Sequence, residues 1–311
     1  MDIDLNRRRF LAASSALTVS ALVGLPAIAR AQESTDDEIV VYGTVQKGGT
    51  SIYDGQAILR LAKGAAWFGG GAMTAASGIY GAVAVAGGSA AVVDPEPATT
   101  AILLALSGVI MLEALTMAGM GAVLNFIGAD PPRSKYEVSV CKGAVMPVAQ
   151  SVKGFPALDA LQKILQTATN SARQFWDGIE LWQGAKLADD GKWMNTHYKA
   201  CVDAYRRLYT AVQAMPAATE AMFKELQTSP KIKFKAIQAA MKPNAGKSLG
   251  NVPGFKDMVK KASRKTPCGD GITKPALDLL MAQKVPANLQ QAVKQTVQEM
   301  KKLARQMNKP I

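Results

Sequence analysis

The sequence predicts a mainly α-helical fold, in which a hydrophobic Gly/Ala-rich helical hairpin is followed by a basic helical-bundle domain. Three observations predict this class. Residues 64–93 contain no charged side chain, and after a short acidic break a second apolar run continues to about residue 130. Aromatic residues make up only 6% of the chain, a balance that favours closely packed helices over a β-sandwich. The C-terminal half repeats its apolar residues at helical spacing.

The first 31 residues have the pattern of an export signal. Asn6-Arg7-Arg8-Arg9-Phe10-Leu11 is followed by a moderately apolar region, and Ala29-Arg30-Ala31 supplies the small residues of a cleavage site before Gln32. The segment resembles a twin-arginine translocation (Tat) signal, which implies export to the periplasm or to a membrane of a Gram-negative envelope. An ordinary N-terminal membrane helix is the alternative. The residues that carry the resemblance are Arg7, Arg8, Phe10, Leu11, Ala29 and Ala31.

Residues 32–57 are predicted to form a flexible tether, because they are polar, acidic and bounded by glycine. Within them "DEIVVYG" resembles the TonB box of TonB-dependent outer-membrane receptors, although Tyr42 replaces the usual Thr. Such a segment binds by adding a strand to a sheet edge of its partner. The resemblance implies contact with TonB through Glu38, Ile39, Val40 and Val41, against the alternatives of a plain edge strand or a coincidence of sequence.

The hydrophobic hairpin is predicted over residues 58–130. In its first arm small residues recur at every fourth position, including Gly70, Thr74, Gly78 and Ala82, a spacing that lets two helices approach closely. "DPEP" breaks the run, and a second helix is expected from about residue 101 to 127, ended by Pro131-Pro132. Each arm is long enough to cross a bilayer, but a buried hairpin of a globular protein explains the same pattern.

Three acidic residues distinguish this hairpin from a simple membrane anchor. Asp94 and Glu96 lie at its tip, and Glu113 lies in the middle of the second arm, where a charge in a bilayer costs about 3 kcal/mol. The flanks carry Arg and Lys while the tip is acidic, which for an exported protein opposes the positive-inside rule. A hairpin that enters a bilayer late, from the exported side, is less bound by that rule. Glu113 is expected to pair, become protonated or line water, unless it marks the polar side of a globular helix.

Residues 131–311 are predicted to form the basic helical domain. They carry 29 basic and 13 acidic residues, a net charge of +16, within a chain whose net charge is +12. Apolar residues repeat at three- and four-residue spacing in 158–182 and 289–307, which predicts two core-facing helices. A basic domain attracts anionic lipid or nucleic acid, and a solvated Lys-rich surface is equally consistent. Export and the lack of a recognisable module argue against nucleic acid.

The chain has three cysteines in a compartment that is expected to be oxidising. One disulfide and one free thiol is the simplest arrangement, and all three pairings are open. Cys201 lies in a helical pattern and is predicted to be a core thiol. The loop-like surroundings of the other two favour a disulfide between Cys141 and Cys268.

No catalytic, metal-binding or cofactor-binding residue is assigned from the sequence. Gly246-Lys247-Ser248 lacks the first glycine and the preceding strand of a phosphate-binding loop. His197, the single histidine, lies four residues before Cys201, and this pair would need further ligands to hold a metal. The sequence therefore leans against an enzyme, without excluding a site assembled from scattered residues.

Together these features lead to two functional hypotheses. The first is a non-enzymatic exported envelope protein that associates with or inserts into a membrane through its hairpin. In organisation it resembles pore-forming colicins, although in those toxins the hairpin lies near the end of the helical domain and no such export signal occurs. The second is a membrane-anchored periplasmic scaffold or adaptor that engages the TonB system or anionic envelope polymers. The expected partners are membrane lipids and TonB.

Overall fold

The computed structural model describes residues 55–93, 96–129, 151–187, 191–263 and 274–307. These ranges are almost wholly helical and contain no β-strand beyond one isolated bridge, between Ser248 and Lys284. The mainly α prediction is therefore confirmed. All of these residues belong to one compact unit, Val45–Ile311, while a second unit, Met1–Thr44, lies outside the described residues.

The first arm of the hairpin is helical from Gly55 to Val93. Helix α1 (Gly55–Phe68) passes through a π-helical turn (Gly69–Met73) into α2 (Thr74–Val93). The turn coincides with three consecutive glycines, and the Thr74 hydroxyl donates a hydrogen bond of 3.1 Å to the carbonyl oxygen of Gly69, five residues back. A π-turn of this kind lets a long helix continue past one extra residue.

The second arm is helix α3 (Pro97–Ala129), which begins four residues earlier than the sequence predicts. Proline is favoured in the first helical turn, because it has no N–H to leave unpaired there. The carbonyl oxygen of Glu96 accepts a hydrogen bond from the Thr100 amide at 2.9 Å, and the Glu96 carboxylate accepts one from the Thr99 hydroxyl at 3.1 Å. The expected break of the chain is therefore shorter, and it ends at Glu96.

Helices α4 (Pro156–Leu187) and α5 (Gly191–Thr228) form a second antiparallel pair. The Glu225 carboxylate accepts hydrogen bonds from the amides of Ala157 and Leu158 at 3.0 and 3.1 Å, so α5 caps the N-terminus of α4. The predicted core-facing positions of α4 are all buried: Leu158, Leu161, Leu165, Ala168, Ala172, Phe175, Ile179 and Trp182.

Four shorter helices complete the described fold: α6 (Phe234–Met241), α7 (Phe255–Ser263), α8 (Lys274–Ala282) and α9 (Leu289–Gln306). The Asn288 side chain caps α9 by accepting a hydrogen bond from the Gln291 amide at 3.0 Å. The Gln213 side chain of α5 donates to the carbonyl oxygen of Ala304 at 2.6 Å, which joins α9 to the α4–α5 pair. The predicted apolar face of α9 is buried at Leu289, Val293, Val297, Met300, Leu303 and Met307.

The hairpin lies in the interior of this unit. One continuous hydrophobic core contains residues of α1, α2 and α3 together with residues of every later helix. Nearly every residue of α2 from Ala76 to Ala91 is buried, although an isolated amphipathic helix would expose half of its surface. The described helices of the basic half thus cover the hairpin. The predicted domain boundary at residue 130 remains a prediction.

Candidate functional site

The two arms of the hairpin pack closely because small residues meet at both ends of their contact. A Cβ atom added to Gly87 of α2 would lie 2.5 Å from the Ser107 Oγ of α3. A Cβ added to Gly121 of α3 would lie 3.1 Å from the backbone oxygen of Gly69. These contacts pair the end of α2 with the start of α3, and the π-turn with the later part of α3. The arms are therefore antiparallel neighbours, as the sequence predicts.

The small residues of the predicted stripe are shared among several neighbours. Thr74 contacts the position of Gly121 on α3, while Gly78 packs against the side chain of Gln283. Ala82 lines a small cavity whose far wall is formed by the segment that follows α6. Gly70 is partly exposed. The four-residue spacing of small side chains suits a helix pair. In this fold it lets α2 pack against several neighbours at once.

Glu113 lies in the middle of α3 and is 3% exposed. Neither of its carboxylate oxygens has a hydrogen-bond partner among the described residues. Gln162 and Asp159 of α4 face Glu113, and Asp159 Oδ1 and Gln162 Nε2 are themselves buried without a hydrogen bond of standard geometry. Burying a carboxylate without hydrogen bonds costs several kcal/mol if it is ionised, and a second carboxylate nearby adds repulsion. The contact between α3 and α4 is therefore energetically poor at this point.

Tyr80 of α2 belongs to the same polar cluster. Its ring packs edge to face on Phe223 of α5, with ring centroids 5.3 Å apart and an interplanar angle of 71°. Its hydroxyl is buried near Glu113 and Thr219 and makes no hydrogen bond of standard geometry within the described chain. The sequence reasoning missed this residue. Its signal was a phenol in the middle of a long uncharged run, where a hydroxyl ordinarily needs a partner.

The tip of the hairpin is exposed, in contrast to its body. Val92 and Val93, at the end of α2, are 84% and 82% exposed, and Leu104 of α3 is 52% exposed. Glu96, the described acidic residue of the tip, is also exposed, and Asp94 lies outside the described residues. A mainly apolar surface with a carboxylate at its end therefore faces solvent at one end of the buried hairpin.

By length and composition, two segments are able to cross a membrane: Leu61–Val93 and Pro97–Ala122. In the folded chain, 83% and 67% of the most apolar stretches of these segments are buried. They satisfy the requirement of about 20 apolar residues for a bilayer of about 30 Å. They also satisfy the requirements of a core helix, and in this structure the protein's own helices cover them.

Among the residues that the structure describes, the remaining polar and sulfur-containing side chains do not form a cluster of metal-ligating groups. The predicted core position of Cys201 is confirmed, and burial raises the pKa of its thiol to about 12. A neutral thiol is a poor metal ligand, and His197, four residues earlier, instead stacks on Trp193 with ring centroids 5.5 Å apart. Within the described ranges no three His, Cys, Asp or Glu residues lie close enough to hold a metal ion.

Several predicted residues lie outside the described residues, so their assignments remain predictions. They are those of the export signal (Arg7, Arg8, Phe10, Leu11, Ala29 and Ala31), those of the TonB-box-like segment (Glu38, Ile39, Val40 and Val41), Asp94 of the tip, and the expected disulfide partners Cys141 and Cys268. No family model, curated protein or solved structure matches this chain. The functional argument therefore rests on the hairpin and its surroundings.

Proposed function

We propose that this chain is a membrane-active protein whose α2–α3 hairpin is stored inside the folded chain and enters a bilayer when the surrounding helices release it. The observation that carries the proposal is the burial of two helices that are each long and apolar enough to span a membrane, joined by an exposed tip. The proposal includes the export of the mature protein from Gln32 onward and the formation of a pore or lesion in the target membrane.

The energetics of the two environments support such a transfer. α2 and α3 are 20 and 33 residues long, or about 30 and 50 Å. Their own side chains are mostly apolar all round the helix, not on one face only. Their backbone hydrogen bonds are made within each helix, so they are satisfied in lipid as well as in protein. Lipid chains are about as apolar as a protein core, so the hairpin itself loses packing contacts but gains no exposure to water when it enters a bilayer, whereas the inner faces of its covering helices lose their apolar cover.

The acidic residues of the hairpin affect both its burial in the folded chain and its insertion into a bilayer. Glu113 is buried without a hydrogen bond of standard geometry in the folded form, and mid-span in a bilayer it again needs a partner or a proton, so it disfavours both states. Glu96 must be desolvated if the tip crosses the bilayer. Because neutral carboxyl groups enter lipid at lower cost than carboxylates, we expect insertion to be faster at mildly acidic than at neutral pH.

The experiment that tests this function is dye leakage from vesicles of phosphatidylglycerol and phosphatidylethanolamine, using protein that begins at Gln32. The informative substitution is Leu104→Asp, because Leu104 is 52% exposed in the folded chain but lies within the second membrane-length segment. A charge inside a bilayer costs up to about 3 kcal/mol, so we expect leakage to fall roughly tenfold or more.

The matched control is Leu181→Asp, since Leu181 is 54% exposed and lies on the amphipathic helix α4. We expect it to leak like the parent protein, and we expect both variants to unfold at the parent's denaturant concentration. An absence of leakage by the parent protein at neutral and mildly acidic pH would overturn the proposal. Stable vesicle binding that resists alkaline extraction without leakage would instead favour the anchored scaffold or adaptor.

The periplasmic location and contact with TonB are parts of the proposal that rest on sequence resemblance alone. The twin-arginine pattern and the "DEIVVYG" segment support them. A basic helical half and a late-entering hairpin suit a protein that meets its target membrane from the exported side.

A further inference from the structure

The hairpin tip and its immediate surroundings form a surface with two distinct chemical zones. The first zone is apolar and consists of the end of α2 and the first two turns of α3. Val92 and Val93 are more than four-fifths exposed, and Leu104 is half-exposed. On the same turns of α3, Ala98, Ala101 and Ala105 also face solvent. An exposed apolar patch at one end of a hairpin whose other described residues are mostly buried indicates an interaction surface.

The second zone is basic and comes from the segment that packs around the end of α2. Met258 of α7 lies so close to Gly88 that an added Cβ there would be 2.7 Å from its methyl group. Ser89, one residue further, lines a cavity together with Asn244, which follows α6. Gly88 and Ser89, the residues of α2 at these two positions, lie within five residues of the exposed Val93. The segments that carry Met258 and Asn244 therefore surround the base of the tip.

Lysines are concentrated in these segments. Between Lys231 and Lys261 the sequence has eight lysines and one acidic residue, Asp257. The Lys247 ammonium group donates a hydrogen bond of 3.2 Å to the side-chain oxygen of Asn244, which lines the same cavity as Ser89. We call the exposed lysines on the two segments next to Gly88 and Ser89 the lysine collar; its members are Lys242, Lys247, Lys256, Lys260 and Lys261.

We propose that the hairpin tip and the lysine collar together are the surface that docks the folded protein onto an anionic phospholipid bilayer. The tip inserts its apolar residues among the headgroups while the collar binds lipid phosphates around it. Each lysine held near an anionic leaflet strengthens binding roughly fivefold, and the apolar residues add the penetration that pure charge attraction lacks. Glu96 at the tip and the exposed Asp257 beside Lys256 oppose this attraction, but the five collar lysines outweigh these two carboxylates.

This inference deepens the proposed function, because docking at the tip would bring the hairpin to the bilayer with its turn foremost. It makes a separate claim, however, since docking is a binding step that precedes any release of α2 and α3. Binding and leakage can therefore be measured independently. The proposal commits to a lipid surface, because the collar and the apolar tip match the charge and the polarity of an anionic membrane interface.

The test is flotation of the protein beginning at Gln32 with vesicles that contain phosphatidylglycerol, compared with vesicles of phosphatidylcholine alone. We expect the double variant Lys242→Gln/Lys256→Gln to bind the anionic vesicles about 25-fold more weakly. The matched control is Lys192→Gln/Lys199→Gln, which removes the same charge from exposed lysines at the distant end of α5. We expect its binding to equal that of the parent. Val92→Ser/Val93→Ser tests the apolar zone and should weaken binding in both compositions.

The outcomes separate this inference from the proposed function. Equal loss of binding in the collar and control variants would overturn the docking surface, because it would indicate attraction by overall charge. Leakage that persists unchanged in the collar and tip variants would also overturn docking while leaving the hairpin function standing. Normal binding without leakage would support docking and overturn insertion. Dimerisation of the parent that Val92→Ser/Val93→Ser abolishes would assign the tip to a second copy of the chain and overturn the lipid proposal.

Discussion

The fold contains two antiparallel helix pairs that pack against each other but differ in how polar their surfaces are. The α4–α5 pair is amphipathic, with Phe175 and Tyr205 buried on its inner face and ion pairs such as Arg206–Asp203, at 3.1 Å, on its outer face. The α2–α3 pair is apolar on all sides, and the large apolar side chains that it exposes among the described residues lie at its tip. The amphipathic pair is stable only at a boundary between core and water, whereas the apolar pair suits any apolar surrounding.

This difference indicates separate roles for the two pairs: the amphipathic pair stabilises the fold, and the apolar pair is the segment proposed to enter a membrane. Amphipathic helices such as α4, α5 and α9 cover the hairpin and carry the charge that faces solvent. The polar cluster of Tyr80, Glu113, Asp159 and Gln162 lies where the two kinds of pair meet, and it contains several buried polar atoms that make no hydrogen bond of standard geometry among the described residues. We infer that the contact between α3 and α4 is where the hairpin separates most easily from its cover.

The largest expected effect comes from weakening the amphipathic pair. Phe175 is fully buried, and its ring centroid lies 5.3 Å from that of Tyr205. Phe175→Ala should lower the free energy of unfolding by about 3–5 kcal/mol, because it removes a large side chain from a packed core. Chemical denaturation measures this loss. Leu181→Ala on the exposed side of the same helix is the control, and a similar loss there would contradict the described burial.

A second expected effect concerns the close contact within the apolar pair. Gly121→Val should destabilise the fold by about 1–3 kcal/mol, because its Cβ would press on the backbone oxygen of Gly69. Gly108→Val on the same helix is the matched control, since no atom lies within 4 Å of a Cβ at that position. Denaturation midpoints of the two variants should differ in that order. Equal midpoints would show that α2 and α3 do not pack at the π-turn.

The smallest expected effect tests the poor contact between the two pairs. Glu113→Gln should raise the free energy of unfolding by about 1–2 kcal/mol at neutral pH, because the amide removes the cost of keeping an ionisable carboxyl group buried and can donate to Asp159. Glu220→Gln on α5 is the control, because Glu220 is exposed and pairs with Lys301 at 3.3 Å. A surface pair of this kind contributes less than about 1 kcal/mol. A destabilised Glu113→Gln variant would contradict our description of the cluster.

The helical class and most of the core positions could be predicted from the sequence. Apolar spacing identified the buried faces of α4 and α9, because a helix repeats its inward positions every three to four residues regardless of what it packs against. The acidic residues and prolines of "DPEP" predicted the break between the arms of the hairpin. The sequence reasoning misplaced the start of α3 by four residues, because it chose threonine caps over the proline and Glu96 that begin the helix.

The neighbours of the hairpin could be decided only by the tertiary structure. A helix that is apolar all round carries no periodic signal for the direction of its partners, so Gly78 and Ala82 meet the α6–α8 region although their spacing also suited α3. The position of Glu113 near Asp159 and Gln162, and of Met258 beside Gly88, likewise joins residues that are far apart in sequence. The sequence by itself determined that two membrane-length helices exist, because length and polarity are local properties. Only the packing of the chain decided that they are stored in its core with their tip exposed, because burial depends on which surfaces meet.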